Sequence, residues 1–264
     1  MTDVIAAKMI IEVDGDDSAP PVVMIHGLGG SSNAFALLMP GLRGFRVIRP
    51  DLLGAGRSPT RRGSHRLPEL GRQLVLALSL LGVKRAHLVG HSMGTWICQW
   101  LAAEHPDLVE SMVLFGAITE PAQASRDALR ERAAAVRHGG LSQVATQIAT
   151  HTIAARSLDT QPLIAAYVRE SVMRQSAEGY AALCEALAEA VRIDPLRIRC
   201  PVTLVTGRDD PVTPPSMAHS LADRLGHARL QLIDNCGHWT PIEAPQVCGE
   251  ALRHHLIRHA RAGA

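Results

Sequence analysis

Residues 90–94 are Gly-His-Ser-Met-Gly, a Gly-x-Ser-x-Gly pattern that decides how the rest of the chain is interpreted. The apolar run 86–89 comes directly before this stretch, and the amphipathic stretch 95–103 comes directly after it. A buried strand that turns sharply into a helix is the setting in which this pattern holds a nucleophilic serine. The glycines let strand and helix approach closely while Ser92 adopts a strained backbone conformation. The stretch therefore predicts a strand, a tight turn that exposes the Ser92 hydroxyl, and a helix.

The length and charge of the chain restrict its class. A chain of 264 residues is long for a minimal domain and short for two, which favours one α/β domain with an insertion. The net charge of +2 implies no strong electrostatic field, so nucleic acid is not an expected partner. No apolar run is as long as a membrane span, and the N-terminus lacks the pattern of a secretion signal.

The cysteine pattern bears on the cellular compartment of the protein and on whether it binds a metal. The five cysteines show no close pair such as Cys-x-x-Cys, which argues against a disulfide framework or a zinc site. We therefore expect a cytoplasmic protein without a metal or cofactor, whose partner is a small-molecule substrate and not a membrane. A homo-oligomer is compatible with this reading.

Seven short runs rich in Val, Ile, Leu and Met predict buried strands. Most of them do not alternate with polar residues, which is typical of a parallel sheet covered on both faces. Helical segments between the strands include His65–Leu81, which Gly82 ends, and the last helix, Gln246–Arg261. The predicted strands are Met9–Val13, Val22–His26, Phe45–Arg49, Ala86–Val89, Ser111–Phe115, Val202–Thr206 and Arg229–Ile233.

The alternation of strands and helices is interrupted between residues 120 and 196, where no strand pattern is visible. This stretch predicts the helices Gln123–His138, Leu141–Thr150, Pro162–Arg174 and Ala177–Ala190. It follows the strand after the serine turn, near the carboxyl ends at which such sheets bind ligands. We therefore predict an α/β core formed by residues 1–119 and 197–264, with residues 120–196 as an all-helical cap.

A serine hydroxyl is a poor nucleophile at neutral pH and needs a base that takes its proton. His238 is the predicted base, because it lies in a loop between an apolar run and the last helix. His255 and His259 have a spacing that suits a metal, but without a Glu partner a solvated helix face is the better interpretation.

Two adjacent aspartates follow the strand that ends at Thr206, and either could orient the base. Asp210, three residues after Gly207, is the predicted acid, and Asp209 would then brace the turn. Glu120, after an earlier strand, is a weaker alternative. Either aspartate gives the order Ser, Asp, His along the chain.

Acyl transfer also needs hydrogen-bond donors for the oxyanion, which two backbone N–H groups usually supply. Met93, the residue after the nucleophile, is the first predicted donor. Leu28 is the second, because the glycines of residues 26–30 (His-Gly-Leu-Gly-Gly) let the backbone lie against a substrate.

Five motifs together resemble the α/β-hydrolase superfamily, in the family's order and over the whole chain. The resemblance implies a mostly parallel eight-stranded sheet, with Ser92, Asp210 and His238 as a triad and Leu28 and Met93 as oxyanion donors. The motifs are residues 26–30, residues 51–58 (Asp-Leu-Leu-Gly-Ala-Gly-Arg-Ser), residues 90–94, residues 207–214 and Gly237-His238.

Two features divide the resemblance between subfamilies. Residues 132–140 and 179–187 are similar to 3-oxoadipate enol-lactonases, which act in aromatic catabolism. Residues 236–239 (Cys-Gly-His-Trp) are similar to the carbon–carbon hydrolases of meta-ring-fission products. The sequence therefore favours a serine esterase or lactonase, with a carbon–carbon hydrolase as the alternative. A non-catalytic or slow ligand-binding protein of the same fold is an alternative of another class.

The substrate pocket is expected to be apolar, with the Trp239 ring as one of its walls. Trp96 and Trp100, four residues apart, are expected to be core or interface residues. A carboxylated substrate would need a cationic partner, because arginine can hold a carboxylate with two hydrogen bonds. The sequence offers several arginines for this role without separating them from solvated surface residues: Arg57, Arg156, Arg169 and Arg174.

Overall fold

The computed structural model describes residues 2–60 and 66–259. Its centre is an eight-stranded sheet with the strand order β1-β2-β4-β3-β5-β6-β7-β8. The strands β3 to β8 are parallel, whereas β2 pairs antiparallel with β1 and with β4. The bounds are β1 Thr2–Ala6, β2 Met9–Asp14, β3 Pro21–Ile25, β4 Arg46–Pro50, β5 Ala86–His91, β6 Val109–Phe115, β7 Val202–Gly207 and β8 Arg229–Ile233.

The mostly parallel eight-stranded sheet predicted from the sequence is confirmed, but β1 is absent from the seven predicted runs. β1 and β2 are joined at Ala7 and Lys8, whose φ angles are +48° and +68°. Hairpin turns with two positive φ angles usually carry Asn or Gly. The turn therefore lacks the residues that would mark it in the sequence.

In the described residues, five α-helices flank the sheet within the core. Helix α1 begins at Leu67, and residue 65 of the predicted helix lies outside the described residues, as do residues 260 and 261 of the predicted last helix. Pro68 is tolerated in α1 because the first turn of a helix needs no N–H donor. The helices are α1 Leu67–Leu80, α2 Met93–Glu104, α8 Pro215–Leu225, α9 Thr240–Glu243 and α10 Pro245–His259.

Five more helices separate β6 from β7, and we call residues 120–196 the helical insertion. Within it α3 packs against α7, and α4 packs against α6. Four of these helices match the predicted segments, whereas the short α5 was not predicted. The helices are α3 Gln123–Gly139, α4 Ser142–His151, α5 Ala155–Thr160, α6 Pro162–Met173 and α7 Ala177–Ala188.

Apolar side chains cover both faces of the sheet. In β3, Val23 and Ile25 belong to the larger core cluster, which includes α1, α2 and the helical insertion. Val22 and Met24 belong to a second cluster, which packs under α10. Because successive side chains in a strand point to opposite faces, a strand buried on both sides is apolar at every position.

The order of the strands creates a crevice at one edge of the sheet. From β3 the chain passes to β4 on one side, and then returns to place β5 on the other side of β3. Ligands of open α/β sheets bind at such a reversal, outside the carboxyl ends of the strands. Residues 26–30, which follow β3, and Ser92, which follows β5, both lie at this crevice.

The described residues hold all five cysteines, and each is a free thiol. No helix in residues 2–60 or 66–259 combines the length and apolarity needed to span a membrane. In the same ranges, no cluster of three or more His, Cys, Asp or Glu side chains has the arrangement of a metal site.

Two buried histidines lie near the amino ends of the strands, away from the crevice. The His87 ring is 2.7 Å from Ser111 Oγ, and His255 Nδ1 is 2.8 Å from Thr203 Oγ1. Burial lowers the pKa of His87 to about 4 and that of His255 to about 3, from 6.5. Below pH 6.5 the unfolded chain therefore binds protons that the folded protein does not.

We expect the free energy of unfolding to fall as the pH decreases from about 6.5 to about 5, by roughly 2 kcal/mol for each of these histidines. The variant His255→Asn keeps a nitrogen or oxygen near Thr203 but cannot titrate. Between pH 7 and pH 5 its free energy of unfolding should therefore fall by about 2 kcal/mol less than that of wild type. Urea unfolding at both pH values measures this difference. The exposed His219→Asn is the control, and equal pH dependence in wild type and His255→Asn would contradict the prediction.

Candidate active site

Ser92 lies at a sharp turn between β5 and α2, with φ +52° and ψ −121°. A non-glycine residue rarely adopts this conformation, which persists only when the surrounding structure enforces it. A Cβ atom on Gly94 would lie 2.0 Å from the carbonyl oxygen of Ile25, and one on Gly90 would lie 2.8 Å from the backbone nitrogen of Thr95. The two glycines of the motif therefore allow strand and helix to meet closely enough to form the turn.

Three side chains from distant parts of the chain meet at the crevice. The Ser92 hydroxyl donates to His238 Nε2 over 2.9 Å, and His238 Nδ1–H donates to Asp210 Oδ2 over 2.9 Å. A carboxylate only accepts hydrogen bonds, so this contact places the imidazole proton on Nδ1 and leaves Nε2 free to accept. All three side chains are buried. The arrangement can move a proton from the serine to the imidazole while a carboxylate holds the ring.

Asp210 is the aspartate that reaches His238, whereas its neighbour Asp209 is exposed. Asp210 Oδ1 accepts the N–H groups of Val212 and Thr213, and Oδ2 also accepts the Thr213 hydroxyl over 2.6 Å. Burial alone would raise the pKa of Asp210, but His238 and the hydrogen bonds from Thr213 outweigh it and hold the pKa below 3.8. Asp210 therefore stays ionised at neutral pH. The alternative acid, Glu120, is exposed and pairs with Arg126.

The predicted oxyanion donors belong to the Ser92 turn and to the loop of residues 26–30, which approaches Ser92 closely at Gly27. Met93 is the first residue of α2, and the first N–H groups of a helix have no partner within the helix. Among the described residues, the N–H groups of Met93 and Leu28 donate to no acceptor.

The side chain of His26 fixes the glycine loop (residues 26–30), because its Nδ1–H donates to Gly27 O over 2.8 Å and its Nε2 accepts Leu52 N–H over 3.0 Å.

The helical insertion also contacts the glycine loop. The Ser171 hydroxyl donates to Gly29 O over 2.8 Å, and the Gln175 amide donates to the same oxygen over 3.3 Å. Gln175 Oε1 accepts the N–H of Gly56 over 2.8 Å and so joins this loop to the one after β4. No sequence signal marks these two residues, because they belong to an ordinary amphipathic segment.

A cavity of about 960 Å³ opens above Ser92 and His238, between the sheet and the helical insertion. Trp239, the predicted substrate-binding residue, is part of its wall. The Trp239 indole N–H donates to Thr152 Oγ1 over 3.1 Å. Trp96, by contrast, is buried in the core, as expected. The leucine, isoleucine and methionine side chains around the cavity are Leu28, Ile118, Leu129, Ile148, Leu187, Ile193, Met217 and Leu221.

The arginines around the cavity differ from the four that the sequence suggested as partners for a carboxylate. Arg57 pairs with Asp51 and Glu12, outside the cavity wall. Among the described residues that form the cavity wall, the arginines are Arg126, Arg132, Arg192 and Arg224, so Arg156, Arg169 and Arg174 lie elsewhere. The sequence could not separate these groups, because which face of a helix points inward depends on how the insertion packs.

Arg132 lies next to a buried hydroxyl in the cavity wall. Tyr180 is 1% exposed, and its hydroxyl makes no hydrogen bond of ordinary geometry with a described residue, although Arg132 and Cys184 flank it. Burial raises the pKa of Tyr180, so the hydroxyl keeps its proton at neutral pH. Because the hydroxyl itself is buried, the Arg132 guanidinium in the cavity wall is the candidate site for an anionic ligand group.

Comparison with known proteins agrees with this geometry. A family model described as the alpha/beta hydrolase fold matches residues 20–245. The chain is 33% identical over 207 residues to 3-oxoadipate enol-lactonase 2 of Acinetobacter baylyi, covering 78% of this chain and 76% of the relative. It is 31% identical over 259 residues to 2-hydroxymuconate semialdehyde hydrolase of a Pseudomonas species, covering 91% and 88%.

Among solved structures, the fold is similar to that of the enol-lactonase of Burkholderia xenovorans, with a TM-score of 0.90 and 25% identity. The alignment covers 97% of this chain and 100% of the other. The similarity to enol-lactonases and to a ring-fission hydrolase that the sequence motifs predicted is confirmed, as is the expected fold class. The chain belongs to the α/β-hydrolase fold family.

Proposed function

We propose that the protein is a serine hydrolase that cleaves a small carboxylic ester or (enol-)lactone through an acyl-serine. The observation that carries this proposal is the continuous hydrogen-bonded chain from Ser92 through His238 to Asp210, with both links 2.9 Å long. Serine and histidine both face a cavity large enough for a small-molecule substrate. Such a chain converts a weakly nucleophilic hydroxyl into one that attacks a carbonyl.

The geometry supports a mechanism of two steps. His238 Nε2 takes the proton of Ser92 as Oγ attacks the substrate carbonyl, and the oxyanion accepts hydrogen bonds from the N–H groups of Leu28 and Met93. Collapse breaks the bond to the alcohol or enol oxygen, which leaves with the proton from His238. A water molecule then gives a proton to His238 and attacks the acyl-serine, and collapse releases the acid as His238 returns that proton to Ser92 Oγ.

The charge of the cavity favours a substrate that carries a carboxylate. Its wall holds four arginines and one glutamate, in a chain whose net charge is only +2. A concave site lined by one sign of charge attracts ions of the opposite sign. We assign the substrate carboxylate to Arg132, whose guanidinium lies in the cavity wall and can donate charge-assisted hydrogen bonds.

Arg132→Gln is therefore expected to raise KM for a monoester of a dicarboxylic acid by about 10- to 100-fold, the effect of losing a charge-assisted hydrogen bond. The kcat value should change little, because Arg132 takes no part in the hydrogen-bonded chain from Ser92 to Asp210. For the neutral ester p-nitrophenyl acetate, both constants should stay near the wild-type values. Steady-state kinetics with the two esters measures the contrast.

Arg130→Gln is the matched control for this experiment. Arg130 lies on the same helix, α3, but is exposed and pairs with Asp127. The control should leave KM for both esters unchanged. An equal rise in KM for the charged and the neutral ester in Arg132→Gln would contradict the assignment.

We further propose that residues 120–196 form a cap that determines which substrates enter. The insertion supplies Leu129, Arg132 and Ile148 to the cavity wall, while the core supplies Ser92 and His238. Loops and insertions on a rigid scaffold commonly carry the residues that determine substrate specificity. The free state of all five cysteines supports a reducing compartment, such as the cytoplasm.

A panel of substrates tests the reaction class. We expect the protein to hydrolyse short esters and enol-lactones faster than vinylogous diketones from ring fission. The similarity to a 2-hydroxymuconate semialdehyde hydrolase makes carbon–carbon cleavage the second candidate. Turnover of the diketones alone would favour that candidate, and stoichiometric binding without turnover would favour a ligand-binding protein.

A further inference from the structure

Glu243, at the end of α9, is a buried carboxylate that the proposed mechanism does not use. Its side chain is 6% exposed, and it does not form part of the cavity wall. A buried carboxylate is costly unless hydrogen bonds compensate for the lost hydration. The groups that compensate for it here are three backbone N–H donors.

Two of these donors flank the catalytic imidazole in the chain. Glu243 Oε2 accepts the N–H of Gly237 over 2.9 Å, and Oε1 accepts the N–H of Trp239 over 3.0 Å. The carbonyl of His238 accepts His91 Nε2–H over 2.8 Å. The main chain is therefore fixed on both sides of His238, and the carboxylate makes two of these contacts. We call residues 236–239 the histidine loop.

The third donor lies in the helical insertion. Glu243 Oε2 also accepts the N–H of Ala154 over 3.0 Å. In the same segment, Thr152 O accepts the N–H of His238 over 2.8 Å, and Thr152 Oγ1 accepts the indole N–H of Trp239. We call residues 152–154, between α4 and α5, the strap. Three hydrogen bonds thus join the strap to Glu243 or the histidine loop.

We infer that Glu243 is a positioning residue that clamps the histidine loop against the strap and so sets the position of the His238 imidazole. The inference rests on the proposed serine-hydrolase function. His238 must reach Ser92 and Asp210 at once, each over 2.9 Å, so a small displacement of its backbone lengthens one of the two bonds. A carboxylate suits the site because every partner is a donor. An amide would turn its NH₂ group toward one or more of these N–H groups.

The test compares wild type with Glu243→Gln in two reactions. With a turnover ester we expect kcat to fall by about 10- to 100-fold with KM within about twofold, because misplacing a catalytic group slows the reaction without changing the cavity wall. The second reaction uses diethyl p-nitrophenyl phosphate. In it Ser92 Oγ bonds to phosphorus, p-nitrophenolate leaves, and His238 takes the serine proton. Its rate per folded molecule should fall by a similar factor.

Glu12→Gln is the matched control, because Glu12 is a glutamate of similar burial, 5% exposed, that pairs with Arg49 and Arg57 instead of the histidine loop. It should lower the melting temperature and leave kcat within about twofold of wild type. If Glu243→Gln also lowers only the melting temperature, and its folded molecules react with the phosphate ester at the wild-type rate, the inference is overturned.

A second variant keeps the experiment decisive if Glu243→Gln does not fold. Glu243→Asp keeps the charge but shortens the side chain by one methylene, so the carboxylate cannot hold the N–H groups of Gly237, Trp239 and Ala154 at once. It should slow the reaction with the phosphate ester by at least threefold, and a wild-type rate would overturn the inference. A wild-type protein that does not react at Ser92 would instead refute the proposed function, so the two failures are distinguishable.

Discussion

Ser92→Ala is expected to lower kcat by about 10⁶-fold, the scale of loss seen when a serine nucleophile of a triad is removed. The variant keeps His238, Asp210 and the backbone donors, but it has no oxygen with which to form the acyl intermediate. The residual rate comes from binding and from the oxyanion donors acting on water. Turnover of an ester and an enol-lactone, with burst kinetics to detect the acyl-enzyme, measures the effect.

A measurement of stability separates this loss of activity from a loss of folded protein. Within the described part of the chain, the Ser92 hydroxyl has one hydrogen-bond partner, the imidazole, so the free energy of unfolding should stay within about 1 kcal/mol of wild type. Ser111→Ala is a control, because Ser111 is a buried serine that contacts His87 and not the cavity. It should keep the wild-type kcat. Activity near wild type in Ser92→Ala against esters, lactones and diketones alike would refute an acyl-serine mechanism.

Asp210→Asn is expected to lower kcat by about 10⁴-fold, as when the carboxylate of a serine triad is replaced by an amide. The amide can offer an N–H group to His238 Nδ1 and thereby place the imidazole proton on Nε2. That nitrogen then cannot accept the proton of Ser92. Since the pKa of Asp210 lies below 3.8, the carboxylate stays charged in wild type, and its contribution is lost only as the pH falls below that range.

Asp209→Asn is the matched control for this substitution, because it removes the neighbouring charge from an exposed position. We expect its kcat within about threefold of wild type between pH 6 and pH 8, since surface substitutions rarely change stability or geometry. A larger loss of kcat in Asp209→Asn than in Asp210→Asn would contradict the assignment of the acid role to Asp210. Single-turnover rates of both variants, measured side by side, decide between the two aspartates.

Much of the fold follows from patterns of a few residues. Uninterrupted apolar runs predicted the parallel strands, because a strand buried on both faces must be apolar at every position. Patterns fail where the chain lacks a local signal. The turn at Ala7 and Lys8 has no Asn or Gly, and α5 is too short to show a helical period. Helix α8 is likewise absent from the helices predicted by periodicity, although Pro214 and Pro215 mark its start.

The choice among similar side chains depended on packing. Asp209 and Asp210 are adjacent in sequence, but the turn after β7 buries one and exposes the other. Arg57 belongs to a family motif and pairs with Asp51 away from the cavity, whereas Arg132 reaches the cavity because α3 turns one face toward α7. Glu243 carries no recognisable motif, since its partners are backbone N–H groups that any residue could supply.

The sequence by itself determined the succession of strands from β2 to β8 along the chain, the turn at Ser92 and the three kinds of side chain that the chemistry needs. These depend on short-range sterics and on periodicity, which a stretch of a few residues already contains. Only the tertiary structure decided which arginine faces the cavity and what holds the histidine loop. His238 is 146 residues from Ser92 along the chain, and contacts over that separation arise from the packing of the whole sheet and its insertion.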